Sequence, residues 1–316
     1  MKITKVAIQM DAIDSIDLEF DTSFLLAKEA QDRGYELFYY NPIDLEYENG
    51  KVFGSGYFIE LYDSQETYYK YLSAHKEKIN LANFDVILIR QDPPFNMNYI
   101  SSTYLLDQIS SSTVVLNDPT SLRNCSEKIY PFEFEKYIAP TIITQKISAL
   151  KKFLETNQDI ITKPLYGNGG EGIFRTTISD EKLQGIDESN EFLEEPLMAQ
   201  RYIPEIREGD RRIILIDGDY AGSVARIPQE NNIKANFHAG GKPEKSELIY
   251  RDKEICEALQ KDLKEKNLFL TGIDVIGNYL TEINVTSPTG LKQVNKLNEI
   301  NLEKIYWNKL EEKFFN

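Results

Sequence analysis

A chain of 316 residues with a formal net charge of −15 lacks the basic face that nucleic acid or an anionic membrane surface demands, so neither is expected as a partner. Its 41% hydrophobic and 28% charged residues make an ordinary globular mix, and the length suits two domains with a large core. Two cysteines, Cys125 and Cys256, offer no disulfide framework and fit a reducing, cytoplasmic compartment, and two histidines, His75 and His238, argue against a histidine-built zinc centre.

The apolar-leaning stretch from Val6 to Met10 reads as a buried strand. It is too short for a signal-peptide core, and no apolar run reaches membrane length, so a soluble intracellular protein is predicted. Thr22 caps a helix to about Arg33, stopped by Gly34. Tyr35 to Tyr40 is the next strand, ended by Asn41-Pro42, and a hairpin near Val52 to Tyr62 precedes a helix from about Ser64. Asp85-Val-Ile-Leu-Ile-Arg90 has the continuous apolar run of a central parallel strand; a helix from Tyr99 to Ile109 and a strand from Thr113 to Asn117 follow. This alternation predicts a small doubly wound α/β unit over residues 1–122. No GxGxxG follows the first strand, so a dinucleotide fingerprint is absent. Ligands of such sheets sit at the carboxyl ends of strands, here Asp11, Arg90 and Asp92-Pro-Pro-Phe95. Arg90 there suits a substrate carboxylate, and on local grounds equally a surface ion pair.

Ser121 is read as the cap of a helix carrying Arg123, Glu127 and Lys128 and ended by Pro131. Strands from Pro140 to Thr144 and Asp159 to Lys163 flank a helix capped by Ser148. Then comes Lys163-Pro-Leu-Tyr-Gly-Asn-Gly-Gly-Glu-Gly172, whose glycines permit positive φ and let backbone N–H groups turn toward an anion. No Gly-Lys-Ser/Thr follows, so it is not a Walker loop, and Ile173-Phe-Arg175 is strand-like. A flap over phosphates with Lys163 at its base fits; so does a plain mobile turn. The strand from Pro196 to Ile203 runs into the charged loop from Glu205 to Arg211, an edge able to seat adenine with Asp210 against a ribose hydroxyl, or simply a core strand and a surface turn. Arg212 to Ile227 is a hairpin turning at Asp217-Gly218, with the charged Arg226 in an otherwise apolar strand. An amphipathic helix from Asp252 to Asn267 and a terminal helix from Lys296 to Phe315 bracket a second hairpin.

That hairpin, Thr271 to Pro288, is where the chain concentrates its oxygen ligands. A two-residue loop at Gly277-Asn278 pairs Ile273 with Glu282 and sends Asp274 and Glu282 to opposite faces. An odd loop, Gly277-Asn278-Tyr279, pairs Asp274 with Glu282, keeps Asn284 beside them and gathers Ile273, Val275, Ile283 and Val285 on the other face. Only the odd register leaves one apolar side to pack, so it is preferred. Asp274, Glu282 and Asn284 then make an all-oxygen set suited to Mg²⁺, or a polar face that meets water.

Met10-Asp11, Asp92-Pro-Pro-Phe95, Asn124-Cys-Ser-Glu-Lys128, Lys163-Pro-Leu, Gly167-Asn-Gly-Gly170, Met198-Ala-Gln-Arg-Tyr-Ile-Pro204, Gly209-Asp210, Ala225-Arg-Ile-Pro228, Gly240-Gly241, Gly272 to Gly277 and Thr281 to Pro288 occur in order over essentially the whole chain. Together they resemble the bacterial glutathione synthetase family of the ATP-grasp superfamily. The resemblance implies a mixed α/β and α+β chain. In it a small doubly wound pre-ATP-grasp domain (1–122) precedes an ATP-grasp domain (123–316), itself a lid lobe (123–200) and a metal-bearing lobe (201–316). It implies ATP gripped by Lys128 and Lys163 under Gly167, Asn168, Gly169 and Gly170, with adenine along Gln200, Arg201, Tyr202 and Ile203, ribose at Asp210 and a further nucleotide contact at Asn236. Mg²⁺, with Mn²⁺ as an alternative, maps to Asp274, Glu282 and Asn284. Arg212, Arg226 and Lys163 map near the reacting phosphoryl group, and Asp11, Arg90, Arg226, Ser287, Pro288, Thr289 and Gly290 near the carboxylate substrate. The implied reaction activates γ-glutamylcysteine as an acylphosphate that glycine then attacks. Homo-oligomers occur in the family, although the periodicity here marks no interface. Tyr166 stands where an acidic residue is expected, and His238 where a small one is. The alternatives are another ATP-grasp carboxylate–amine ligase, a non-catalytic ATP-binding regulator, and a generic phosphotransferase, the last disfavoured by the lack of a catalytic base.

Overall fold

Val86, Ile87, Leu88 and Ile89 are all buried, as a strand covered on both faces must be. They form β6 (Val86–Ile89), parallel to β1 (Lys5–Gln9) on one side and β7 (Val114–Leu116) on the other, with β2 (Glu36–Glu48) parallel to β1 on its far edge. The computed structural model describes residues 2–64, 66–167, 172–180, 192–229, 235 and 240–316. Alternate residues of the parallel strands feed opposite faces. Val6, Ile8, Leu37 and Tyr39 meet α1 (Thr22–Asp32) through Leu26 and Ala27, whereas Ala7, Phe38 and Ile87 meet α2 (Met97–Asp107) through Tyr99 and Leu106. The unit is doubly wound, and its strand order reverses between β1 and β6.

Three local expectations change here. Asp21, not Thr22, caps α1 by accepting from Phe24 N. The strand β2 runs on through Asn41-Pro42, because the ladder is interrupted between Tyr40 and Leu45 and a proline costs no bond there. Among the described residues no helix begins near Ser64. β3 (Lys51–Leu61) instead carries β4 (Tyr69–Tyr71) and β5 (Glu77–Asn80) on its outer edge, with Tyr71 stacked on Tyr57 at 4.0 Å.

The helix placed after Ser121 is short. It is α3 (Pro119–Asn124), capped by Asp118 with Pro119 in its first turn, and it leaves Glu127 and Lys128 in the turn beyond. A central sheet of order β10-β9-β11-β8 follows, built from β8 (Thr141–Lys146), β9 (Asp159–Pro164), β10 (Phe174–Thr177) and β11 (Phe192–Arg201). The helix α4 (Ile147–Asn157) covers it; Lys146 stands at its N-cap, and no side chain caps it. Leu150, Leu154, Ile160 and Ala199 give this lobe a small core of its own.

The third sheet has the order β14-β13-β12-β15-β16, from β12 (Asp210–Ile216), β13 (Asp219–Ile227), β14 (Lys242–Lys245), β15 (Leu270–Ile276) and β16 (Tyr279–Asn284). Ile213, Leu215 and Ile273 pack on Ile255, Leu259 and Leu263 of α5 (Tyr250–Glu265). Ile214, Ile216 and Val224 pack on α6 (Leu291–Asn298) and α7 (Leu302–Phe314). The single terminal helix read from the sequence is thus two, parted at Glu299 in the left-handed region. Both large cores contain residues of the first and third sheets, so these two sheets share one interior and the central lobe stands apart.

Candidate active site

The register of the third sheet assembles the charged groups. Arg212 lies opposite Asp274, and Asp274 opposite Glu282; one step along, Asp210 lies opposite Arg226, and on the other side Gly272 lies opposite Asn284. All six side chains share one face. The pairing of Asp274 with Glu282 is the odd register, but its origin differs from the three-residue loop read from the sequence. The turn has two residues, with Ile276 opposite Tyr279, and the extra residue is a β-bulge at Thr281, whose hydroxyl donates to Asp274 O at 3.0 Å. Ile273, Val275, Ile283 and Val285 are fully buried on the other side.

Asp274 is the centre of a buried charge network. Arg212 Nε and Nη2 donate to its two oxygens at 2.5 and 2.9 Å, Arg226 Nη2 stands 3.0 Å from Oδ2, and Asn284 Nδ2 donates to Oδ2 at 3.2 Å. Arg226 also donates to both oxygens of Asp210 at 2.6 Å. Burial opposes ionisation of Asp274, but the two guanidiniums outweigh it and hold the carboxyl below the ordinary range. In Asp210 burial prevails over Arg226, and the carboxyl is raised. The lack of a side chain at Gly272 makes room, since a Cβ there would lie 3.2 Å from Arg212 Cδ and 3.3 Å from Pro288 Cβ. Glu282 accepts no hydrogen bond among the described residues, and Asn284 spends its NH₂ on Asp274 and on Gly272 O, which turns its oxygen elsewhere. Glu282 and Asn284 therefore offer oxygen donors that fit a hard divalent cation, whereas the oxygens of Asp274 are committed to arginine.

Two lysines reach this face, Lys163 from the central sheet and Lys128 from the turn after α3. Lys163, on β9, is 5% exposed and has no hydrogen-bond or ion-pair partner among the described residues. Burial depresses its ammonium, against the pull of Glu282 and Asp274, and Lys128 adds repulsion. Lys128, also buried, donates to Gly167 O at the base of the glycine loop. Asn168, Gly169, Gly170, Asn236 and His238 lie outside the described residues. Tyr166 is 48% exposed, with its ring 6.4 Å from that of Phe95. Along the strand read as an adenine edge, Gln200 donates to Thr141 Oγ1 at 3.0 Å, and Arg201 donates to Tyr279 Oη at 2.8 Å. Arg175 lies over the Tyr202 ring at 3.8 Å, and Ile203 is buried. Asp210, read as a ribose contact, gives both oxygens to Arg226.

The first domain contributes at its topological switch point. Asp11 follows β1 and accepts from Asp92 N at 2.7 Å; Arg90 follows β6, is 5% exposed, and donates to Ser23 Oγ at 3.0 Å and Pro288 O at 3.1 Å. It is a buried contact rather than the surface ion pair that local sequence also allowed. Ser287 Oγ donates to Arg90 O at 3.2 Å, and Thr289 O accepts from Arg212 Nη1 at 3.0 Å. Gly290, at φ 110°, opens α6. The loop from Ser287 to Gly290 thus lies between Arg90 of the first sheet and Arg212 of the third. Two residues given no role in the sequence hold it there. Asn117 donates to Leu270 O and Val285 O at 2.8 and 2.7 Å and accepts from Leu270 N at 2.9 Å, and Glu127 Oε1 accepts from Val285 N, Thr286 N and Thr286 Oγ1. Their sole sequence signal is a polar residue just beyond an apolar strand and a glutamate beside Lys128.

Comparison with known proteins agrees over the full length. Residues 4–123 match the family model of the prokaryotic glutathione synthetase N-terminal domain, and residues 127–299 that of its ATP-grasp domain. A glutathione synthetase of Agrobacterium fabrum is 43% identical over 313 residues, covering 99% of this chain and 98% of the relative. One of Brucella melitensis is 44% identical over 308 residues, covering 97% and 98%. Among solved structures, D-cycloserine synthetase DcsG superposes with a TM-score of 0.66 at 11% identity, covering 98% of this chain and 99% of its own. An ATP-grasp ligase of Chryseobacterium gregarium, solved with ADP and a leader and core peptide, gives 0.66 at 17% identity, covering 98% and 97%. At those identities the structures speak for the fold alone, which is the ATP-grasp fold behind an N-terminal domain. Sequence and fold together make the chain a member of the prokaryotic glutathione synthetase family, an ATP-dependent peptide-bond-forming ligase.

Proposed function

We propose that this ligase joins γ-glutamylcysteine to glycine by way of an acylphosphate. The observation that carries the reading is Lys163, a buried ammonium with no partner among the described residues, near Glu282 and beside a network whose two arginines are already paired with carboxylates. A buried charge of that kind costs stability unless an anionic ligand completes it. Lys163 and Lys128 bind the triphosphate, and Glu282 and Asn284 would hold Mg²⁺, which would supply charge neutralisation for the phosphoryl transfer. Arg90 and the loop from Ser287 to Gly290 orient the cysteinyl carboxylate toward the γ-phosphate. Arg212 and Arg226, held in place by Asp274 and Asp210, stand as preorganised guanidinium groups beside the phosphoryl group in flight. The carboxylate oxygen bonds to phosphorus as ADP leaves; glycine's amine then attacks the acyl carbon and expels phosphate, so no protein nucleophile is required.

On this reading residues 1–122 serve the carboxylate substrate, residues 123–200 the lid side of the nucleotide and residues 201–316 its metal side. A cytoplasmic setting accords with two buried free thiols and with the lack, among the described residues, of a helix long and apolar enough to cross a membrane. The test is ADP release with γ-glutamylcysteine plus glycine, against each alone and against other peptide–amine pairs. Turnover that needs both substrates supports the proposal. Faster turnover with another pair points to a different carboxylate–amine ligase, and ATP binding without turnover to a regulator.

A further inference from the structure

Glu127 stands where three parts of the molecule meet. Its carbonyl accepts from Ile283 N at 3.0 Å, and its Oε1 accepts from Val285 N at 3.2 Å, Thr286 N at 3.3 Å and Thr286 Oγ1 at 2.7 Å. The strand β16 is the last of its sheet, so these bonds tape its exit where no further strand could. Beyond Thr286 the chain immediately supplies the carbonyls of Pro288 and Thr289, which receive Arg90 and Arg212. Such carbonyls need an anchor to hold their aim; Asn117 binds Val285 O on one side, and on the other a single carboxylate oxygen of Glu127 collects three donors.

We propose that Glu127 is a positioning residue for the carboxylate substrate: by gathering the donors of residues 285 and 286 it sets the loop whose carbonyls aim Arg90 and Arg212. It touches neither arginine and acts through the loop alone. The inference rests on the substrate assignment made for that loop, but its test compares variants with the wild type on whichever carboxylate supports ADP release, so the two can fail separately.

Three variants decide it. Glu127→Ala leaves the donors unpaired and frees the loop; the expected result is a loss in kcat/KM for the carboxylate substrate of about 10²-fold, since displacement by ~1 Å far from the chemistry costs that much. The KM for ATP should change less than that for the carboxylate substrate in Glu127→Ala, and should stay within about threefold in Thr286→Val, which leaves Glu127 and its neighbour Lys128 intact. Glu127→Gln keeps an acceptor oxygen in the same place and should recover most of the loss. Thr286→Val removes only the hydroxyl donor and should raise the KM for the carboxylate substrate about fivefold, a loss of about 1 kcal/mol by the tenfold-per-1.4 rule. Wild-type kcat/KM in Glu127→Ala overturns the proposal. So does an equal loss for ATP and carboxylate, or a Glu127→Gln variant as impaired as Glu127→Ala. Should Glu127→Ala not fold, Thr286→Val carries the test, and an unchanged KM there overturns it.

Discussion

Two buried charges at the candidate site behave oppositely, and their pH dependence separates them. Asp274 is fully buried between Arg212 and Arg226, which hold its carboxyl below the ordinary value of 3.8. Its stabilisation is therefore complete above that value and is lost as pH falls through the depressed one. Asp274→Asn leaves two guanidiniums without their shared counter-charge and should cost about 3–5 kcal/mol at neutral pH, with a shallower acid limb in urea titrations. An unchanged midpoint would mean that Asp210 alone neutralises both arginines. Lys163 has the contrary sign. Burial lowers its ammonium below 10.5, so the unfolded chain binds the proton more tightly and stability rises with pH between the depressed value and 10.5. Lys163→Met should stabilise the ligand-free protein by about 1–2 kcal/mol at neutral pH, flatten that rise and abolish turnover. The same variant should lose the thermal shift produced by ATP with Mg²⁺, which at a hundredfold excess over Kd is worth about 2.7 kcal/mol in a competent site. A variant that keeps the shift would remove Lys163 from the nucleotide.

At the scale of elements, the junction between sheets rests on side chains that join distant backbones. Asn117 follows β7 and makes all three of its bonds to Leu270 and Val285, at the entry of β15 and the exit of β16. Asn117→Ala strands three buried backbone groups. It should lower stability by about 2–4 kcal/mol without changing the denaturant slope; a loss within 0.5 kcal/mol, roughly the scatter of a surface change, would show that water takes over these bonds. Apolar runs made the parallel strands legible from sequence: Val6 to Gln9 and Val86 to Ile89 can only be buried strands. Long-range polar closure left no such pattern, which is why Asn117 reads only as the end of a strand and Glu127 only as a helix residue within a family motif. Hairpin parity was half legible. Leu280 and Ile283 are both fully buried on the core side although three residues apart, a spacing no regular strand allows. That break marks the bulge at Thr281, and reading it as a longer turn reached the right pairing by the wrong geometry. The segment after Ser64 reads as helix because tyrosines at 68, 69 and 71 suit a helix face as well as an edge strand; in the structure Tyr71 stacks on Tyr57 and Tyr69 packs against Tyr68 and Tyr71 along the edge of β3.

For the whole molecule, the distribution of apolar contact sets what can move. The first and third sheets share two large cores, and Asn117, Arg90 and Glu127 lace them together, so they should behave as one cooperative body. The central sheet keeps only a small core of its own. Its apolar link to the third sheet is a cluster of Tyr202, Ile206 and Ala235 with Ile161 and Ile276, joined by the bond from Arg201 to Tyr279. Lys163 belongs to the part hinged there, while Glu282, Asn284 and Lys128, the neighbour of Glu127, belong to the rigid part, so a nucleotide gripped by Lys163 and by that face would be a further tie between them. Hydrogen exchange should therefore show the amides of β8, β9 and β11 opening at lower free energy than those of β1, β6, β12 and β15 in the ligand-free protein. A non-hydrolysable ATP analogue with Mg²⁺ should slow exchange in the central sheet by about tenfold or more and leave the shared cores almost unchanged. Equal protection of all three sheets before nucleotide is added would contradict this division, because it would mean that the small core and its apolar hinge already bind the lobe as firmly as the large cores bind the other two.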